Sequence, residues 1–200
     1  MAAETLPGAD QLRALIRSSD WLLRVLETVR ASGLPDAWVG AGALRDLVWG
    51  ERYGPGFDPG AVRDVDVAYF DPHDLSRQRD DSATAALEAS WSLPWEARNQ
   101  AAVHTWYHDT FGGDPVAPFR SIAEAIATWP ETATAVVVRL DASGEVAICA
   151  PYGLADLLGG VWRRNPARVS VERSIARLAR HRPELRWPGV TVIRPDQPAA

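Results

Sequence analysis

The chain has no lysine: all 21 of its basic residues are arginine. That excludes a Walker-type phosphate loop, a Schiff-base enzyme and a lysine general base, although a GC-rich genome produces the same usage. Cysteine is nearly missing as well. Cys149 stands alone in the apolar run "EVAICA", which excludes a disulfide framework and a cysteine zinc site and reads as a small core residue. The four histidines, at 73, 104, 108 and 181, show no zinc-ligand pattern, and His104 with His108 lacks the glutamate of an H-E-x-x-H helix. No apolar run approaches the roughly 20 residues of a membrane span. Glu4, Asp10, Asp20 and Glu27 in the first thirty positions argue against a signal peptide. A soluble, cytoplasmic protein with no membrane partner is expected. Neither G-x-S-x-G nor G-x-G-x-x-G occurs, which disfavours a serine hydrolase and a dinucleotide fold.

What is present fits one folded domain. The 200 residues are 46% hydrophobic and include nine tryptophans, enough to bury a sizeable core. The net charge of −5 conceals an asymmetry. From residue 163 onward nine Arg face Glu172, Glu184 and Asp196, a balance of +6, so the remainder carries −11. That basic segment is either a solvated helix face or a surface for a phosphate-bearing ligand.

Periodicity organises the rest. Apolar residues at helical spacing predict one helix over 10–31, ended by Gly33 and Pro35. "DAWVGAG" reads as a short strand entering a glycine turn, and "ALRDLVWG" as a helix closed by Gly50. A Gly- and Pro-rich loop over 53–61 leads to a strand, "VRDVDVAYF". Asp74 or Ser76 caps a helix to about Ser90, "LPWEARNQ" is strand-like, and "QAAVHTWYH" continues as helix. Ser121 with Glu124 forms a capping box, "TATAVVVRLDASGEVAICA" a hairpin turning near Ser143, and helices start near Gly153 and Val169. The mixture predicts an α+β domain: an N-terminal helix (10–31), a core (about 36–162) and a basic helical C-terminal segment (about 163–187).

The stretch "RDVDVAYFD" places Asp64 and Asp66 on one face of a strand, roughly 7 Å apart along it. Like charges so close call for a positive partner. Mg²⁺ takes one or two carboxylates and completes its shell with waters and phosphate oxygens; the alternative is a solvated sheet edge with Arg63 nearby. Upstream, a strand ends in Gly40 and Gly42 just where a helix begins, which suits phosphate oxygens. Arg45 can add a charged contact there, or simply pair with Asp46.

"VGAGALRDLVWGER" followed by "RDVDVAYFD" resembles the head of the DNA polymerase beta-type nucleotidyltransferase superfamily, and its helix start is similar to that of CCA-adding enzymes. The blocks "WEARNQAAVH", "SIAEAIATWPETATAV", "APYGLADL" and "RRNP" resemble a group of small bacterial nucleotidyltransferase-like proteins. The resemblance, over roughly 37–187, implies a minimal nucleotidyltransferase fold, a short twisted mixed sheet flanked by helices. It implies an NTP as substrate and Mg²⁺, with Mn²⁺ as the alternative ion. Asp64 and Asp66 would hold the metal, with Glu96 as third carboxylate and Asp71 or Asp109 as weaker alternatives. Gly40, Gly42 and Arg45 would hold the phosphates. The expected reaction moves a nucleoside monophosphate to an acceptor hydroxyl and releases pyrophosphate. The rivals are a catalytically silent nucleotide-binding module and another metal-dependent phosphotransfer. The chain departs from the pattern at Ala41, in place of a Gly or Ser, and in the insertion over 53–61. The acceptor stays open between a small molecule, a tRNA end and a protein; the lack of an RNA-binding body weighs against CCA addition itself.

Arg98, Asn99, Gln100 and His104 form a polar cluster for base, ribose or acceptor just after Glu96, with a hydrogen-bonded, half-buried role as the alternative for His104 and a core-edge pair with Arg98 as the alternative for Glu96. Arg163 and Arg164 either reach a triphosphate or precede an Asn165 cap with Pro166 at the first helical position.

Overall fold

The computed structural model describes residues 6–112 and 114–195. Five strands form one mixed sheet in the order β3-β2-β1-β4-β5. They are β1 (Trp38–Gly40), β2 (Val65–Tyr69), β3 (Trp95–Asn99), β4 (Val137–Leu140) and β5 (Val146–Cys149). β1 runs antiparallel to β2 and β4, β2 and β3 are parallel, and β4 and β5 form the expected hairpin. A parallel pair, β6 (Val161–Arg163) and β7 (Thr191–Ile193), stands apart from that sheet. This is the α+β architecture the sequence predicts. No helix among the described residues is long and apolar enough to cross a membrane.

Strand alternation sorts the sheet into two faces. Val39, Val65, Val67, Ala97 and Val138 join the main core with α1 (Ala9–Arg17), α2 (Asp20–Ala31), α3 (Ala41–Tyr53) and α4 (Arg77–Ser90). The other face carries Asp66, Glu96 and Arg98 beside a small apolar cluster. There Trp38, Ala68 and Val137 meet Ile122 and Ile126 of α6 (Ile122–Ile126). The polar end of this second face is the one that becomes a site.

Several local expectations are corrected. The helix over 10–31 is two helices, because Ser19 leaves helical geometry and its side chain accepts the Leu22 N–H. Gly50 does not end α3. It sits inside the helix where a Cβ would come within 2.8 Å of the Gly56 carbonyl oxygen, so it admits the folded-back loop. That loop, 53–61, sends Phe57 against Trp21 and contributes nothing to the cavity described below. Asn165 caps no helix; its amide donates to the carbonyls of Ala127 and Trp129, while Ser170 caps α8 (Val171–His181). The basic segment is broken at Arg182, which has φ 47, before α9 (Pro183–Arg186).

Two contacts fix α8 over the open face of the sheet, the His181 ring against Trp162 at 5.4 Å and an ion pair. Glu131, fully buried, accepts from Arg177 Nε at 2.6 Å and Nη2 at 2.9 Å. Below it, Trp49, Trp162 and Trp187 cluster, and the Arg45 guanidinium lies 5.1–6.0 Å from the three rings. Most of the tryptophans are packing residues, as expected; Trp106 and Trp129 instead line the cavity.

Candidate active site

Between α8 and the polar end of the sheet lies a cavity of about 650 Å³. Its floor holds Gly42, Asp64, Asp66 and Glu96, its roof Arg173, Arg177, Arg180 and His181. Aromatic rings close its side, among them Trp106, Tyr107 and Phe111 of α5 (Val103–Phe111).

The floor is built by backbone geometry. Asp64 immediately precedes β2 and Asp66 lies within it, so both project the same way. A Cβ on Gly42 would sit 3.1 Å from Asp64 Oδ1 and 4.0 Å from Asp66 Oδ2. The two carboxylates therefore converge over a residue that needs to have no side chain, and the Gly42 N–H donates to Asp66 Oδ2 at 3.5 Å. Ala41, ahead of it, takes the left-handed region at φ 50, a conformation costing a non-glycine residue roughly 1–2 kcal/mol. Glu96 pairs in register with Asp66 across the parallel β2–β3 ladder, so the third carboxylate stands beside the second. It also makes an ion pair with Arg98 at 3.0 Å.

These neighbours push the Asp66 carboxyl up to about 7. Burial is the main cause, then the charges of Asp64 and Glu96, opposed by the Gly42 N–H and Arg45. Opposite, burial holds His181 down near 3, helped by Arg45, Arg177, Arg180 and Arg63. It is thus a neutral ring, with Nε2 2.9 Å from Arg180 Nη2 and a buried Nδ1 without a partner.

Three expected ligand residues have other duties. Asn99 is fully buried; its oxygen accepts from the N–H groups of Asp71 and Ala101, and its amide donates to the carbonyls of Asp71 and Asp74. Both ends of the side chain are engaged, so it fastens the turns after β2 and β3 rather than touching substrate. Gly40 is glycine because a Cβ there would lie 2.6 Å from the Val136 carbonyl oxygen; it permits the approach of β4. Arg45 pairs with buried Asp46, its Nε and Nη2 at 3.0 and 2.7 Å from Oδ1, while Asp46 Oδ2 accepts from Arg186. Arg45 reaches the site as a fixed positive charge at the cavity wall.

The remaining candidates divide. Gln100 lines the cavity and accepts from the Trp129 indole N–H. His104 is half-buried against the Ala101 carbonyl. Asp71 accepts from His73 N–H in a turn. Arg163 is paired with Asp156, and Arg164 donates to the Val169 carbonyl. Of the basic C-terminal segment, the arginines that line the cavity are those of α8, and their spacing over "RSIARLARH" was the available signal: residues 173, 177 and 180 recur on one helix face.

Whether a metal fits is a question about the donor set. Among the described residues no three of His, Cys, Asp and Glu close on one point as a ligand cluster. Two hard carboxylates do converge, one of them the half-buried Asp66, which forms no ion pair among the described residues, and two suffice for Mg²⁺ when phosphates and waters supply the rest. The residues fit such an ion.

The family model described as nucleotidyltransferase matches residues 27–192. Among solved structures, the chain is similar to a CCA-adding enzyme head domain determined by NMR, at 26% identity and a TM-score of 0.76, over 92% of this chain and 95% of that one. It shares its fold with a CCA-adding enzyme solved in complex with CTP, at 15% identity and a TM-score of 0.53; 96% of this chain covers 44% of that one. No curated protein matches.

Proposed function

The chain belongs to the nucleotidyltransferase family, and on that premise we propose that it moves a nucleoside monophosphate from an NTP to an acceptor hydroxyl. The observation that carries this reading is the convergence of Asp64 and Asp66 over Gly42, with Glu96 in register beside them. Asp64 and Asp66 would hold Mg²⁺ or Mn²⁺, which supplies charge neutralisation on the phosphates when bound. Gly42 leaves the space the phosphates need, and the α3 N-terminus presents its backbone N–H groups and positive dipole end. Arg45, Arg177 and Arg180 set a positive wall against the polyphosphate. The acceptor oxygen bonds to the α-phosphorus as the bond to the pyrophosphate oxygen breaks, and the hydroxyl proton passes to a carboxylate of the floor or to water. Glu96 is the group for that proton.

One observation favours the rival of a silent nucleotide-binding module: Glu96 is ion-paired with Arg98, which a working base would have to leave. Calorimetric titration of each NTP, with and without Mg²⁺, into the wild type and Asp66→Asn tests the site. Metal-dependent binding lost in the variant supports it; equal binding by both proteins overturns it. Pyrophosphate release together with acceptor labelling from the α-phosphate separates transfer from mere binding.

A further inference from the structure

Three of the arginines that line the cavity are paired with carboxylates, and the pairs differ in how firmly they are held. Arg45 and Asp46 have side chains 5% and 9% exposed, and Glu131, the partner of Arg177, is 1% exposed. Arg98 and Glu96 pair in the open. Arg98 Nη2 lies 3.0 Å from Glu96 Oε1, with the two side chains 34% and 44% exposed. Burial locks the first two pairs, and nothing comparable locks the third.

The strand explains both the pair and its freedom. Glu96 and Arg98 are two residues apart on β3, so both side chains leave the face that carries Asp66. Arg98 stands opposite Ala68 on β2, a side chain too short to confine it. β3 is an edge strand, so no strand lies on its other side. The remaining polar contact of the guanidinium, from Nη1 to the Ala97 carbonyl at 3.0 Å, is also to its own strand. Among the described residues Arg98 is thus held only by the strand it stands on, at the wall of the cavity.

An ion pair this open is worth a factor of about five at most in an equilibrium. Each member has a stronger partner in prospect, a divalent cation for the carboxylate and a phosphate for the guanidinium. The two exchanges depend on each other. Glu96 turned to a cation alone would leave Arg98 repelling that cation, and Arg98 turned to a polyphosphate alone would leave Glu96 repelling the phosphates. With both ligands present, each member of the pair has an opposite charge to face.

We propose that the Arg98–Glu96 ion pair is a partner-exchange latch, Glu96 turning to the cation and Arg98 to the phosphates, so that the site takes metal and nucleotide together and discriminates against either alone. Arg98 is then a positioning residue, which keeps Glu96 occupied until the nucleotide arrives. The identity of the ligands rests on the nucleotidyl-transfer reading; the open pair stands on its own geometry. The contact that favours a silent module is, on this account, the resting state of a working site.

Calorimetric titration at about pH 8.5, above the value near 7 at which Asp66 ionises, tests the latch. The probes are Mn²⁺ alone, inorganic triphosphate in the presence of a chelator, and Mn²⁺ with triphosphate. The proteins are the wild type, Arg98→Gln, Arg98→Lys and Glu96→Gln, with thermal melts checking that each is folded. Arg98→Gln is expected to bind Mn²⁺ alone about three-fold tighter than the wild type, and Glu96→Gln to bind metal-free triphosphate about three-fold tighter. In both variants the factor by which triphosphate improves Mn²⁺ binding should fall about as much. Arg98→Lys, which keeps the charge, should stay near the wild type. Mn²⁺ affinity unchanged or weakened in Arg98→Gln, with the triphosphate effect intact, overturns the latch; if the wild type still binds NTP in a Mg²⁺-dependent way, the nucleotidyl-transfer reading survives it. A wild type that binds neither Mn²⁺ nor Mn²⁺ with triphosphate overturns both.

Discussion

Asp66 and Glu96 are register partners on the parallel strands β2 and β3, so their side chains leave the same face of the sheet next to each other. Twenty-nine residues of intervening chain, including α4, separate them in sequence. The pairing explains the charge state of the site: desolvation first, then the charges of Asp64 and Glu96, push the carboxyl of the half-buried Asp66 up to about 7. A carboxyl kept so far from its ordinary range marks the site as a functional candidate.

The first prediction concerns pH. The Asp66 carboxyl titrates near 7 in the fold against 3.8 ordinarily. Between those values the folded chain binds a proton the unfolded chain has released, so stability falls as pH rises from about 4 to about 7 and then levels off. Asp66→Asn removes this dependence. It should be more stable than the wild type at pH 7.5, by no more than about 4 kcal/mol, and the gap should narrow towards pH 4. Urea unfolding at the two pH values measures this, and parallel curves for the two proteins would contradict it.

Gly40 and Gly42 should respond differently to alanine. At Gly40 the new Cβ meets backbone, the Val136 carbonyl oxygen at 2.6 Å, and β1 must part from β4; the variant should be destabilised by several kcal/mol or fail to fold. At Gly42 it meets Asp64 Oδ1 at 3.1 Å, a side chain able to shift by a few tenths of an ångström. Gly42→Ala should therefore fold within about 1 kcal/mol of the wild type and lose most of its Mg²⁺-dependent NTP affinity. Circular dichroism melts and calorimetry on both variants decide the matter.

Asn99→Ala should act on stability alone. The side chain serves four backbone groups from a fully buried position, and stranding them costs about 3 kcal/mol. The surviving folded protein should bind NTP with unchanged affinity. A stable variant with weakened NTP binding would return Asn99 to the substrate site.

The Arg177–Glu131 pair offers an asymmetric test of how α8 is held. Glu131 is 1% exposed, so Arg177→Met strands a buried charge, at about 3–5 kcal/mol. Glu131→Gln leaves Arg177, on the more open side, to find water and should cost less. Denaturation of the single variants and the double variant gives the coupling; additive losses would show that the pair does not dock the helix.

Local chemistry made much of this legible in the chain. "DAWVGAG" and "ALRDLVWG" carry a strand, a turn and a helix because their neighbours in sequence are their neighbours in space. The hairpin at Ser143 and the cap at Ser121 follow from the same short-range rules. Glycines were legible as special and not as to why: Gly50 and Gly40 answer to chain segments that fold back on them. Asn99 looked like a ligand because a polar residue beside a candidate carboxylate carries no mark of being buried.

By itself the sequence determined the α+β class and the placement of Asp64 and Asp66 on one face, since strand side chains alternate with a period of two whatever surrounds them. Tertiary structure alone decided which cations meet them. Arg163 and Arg164, which one reading had reaching a triphosphate, are engaged with Asp156 and the Val169 carbonyl, while α8 reaches the site because Arg177 finds Glu131 forty-six residues away. A helix face in sequence is a face in every direction until some other part of the chain docks on it, and that docking is a long-range balance of burial and charge.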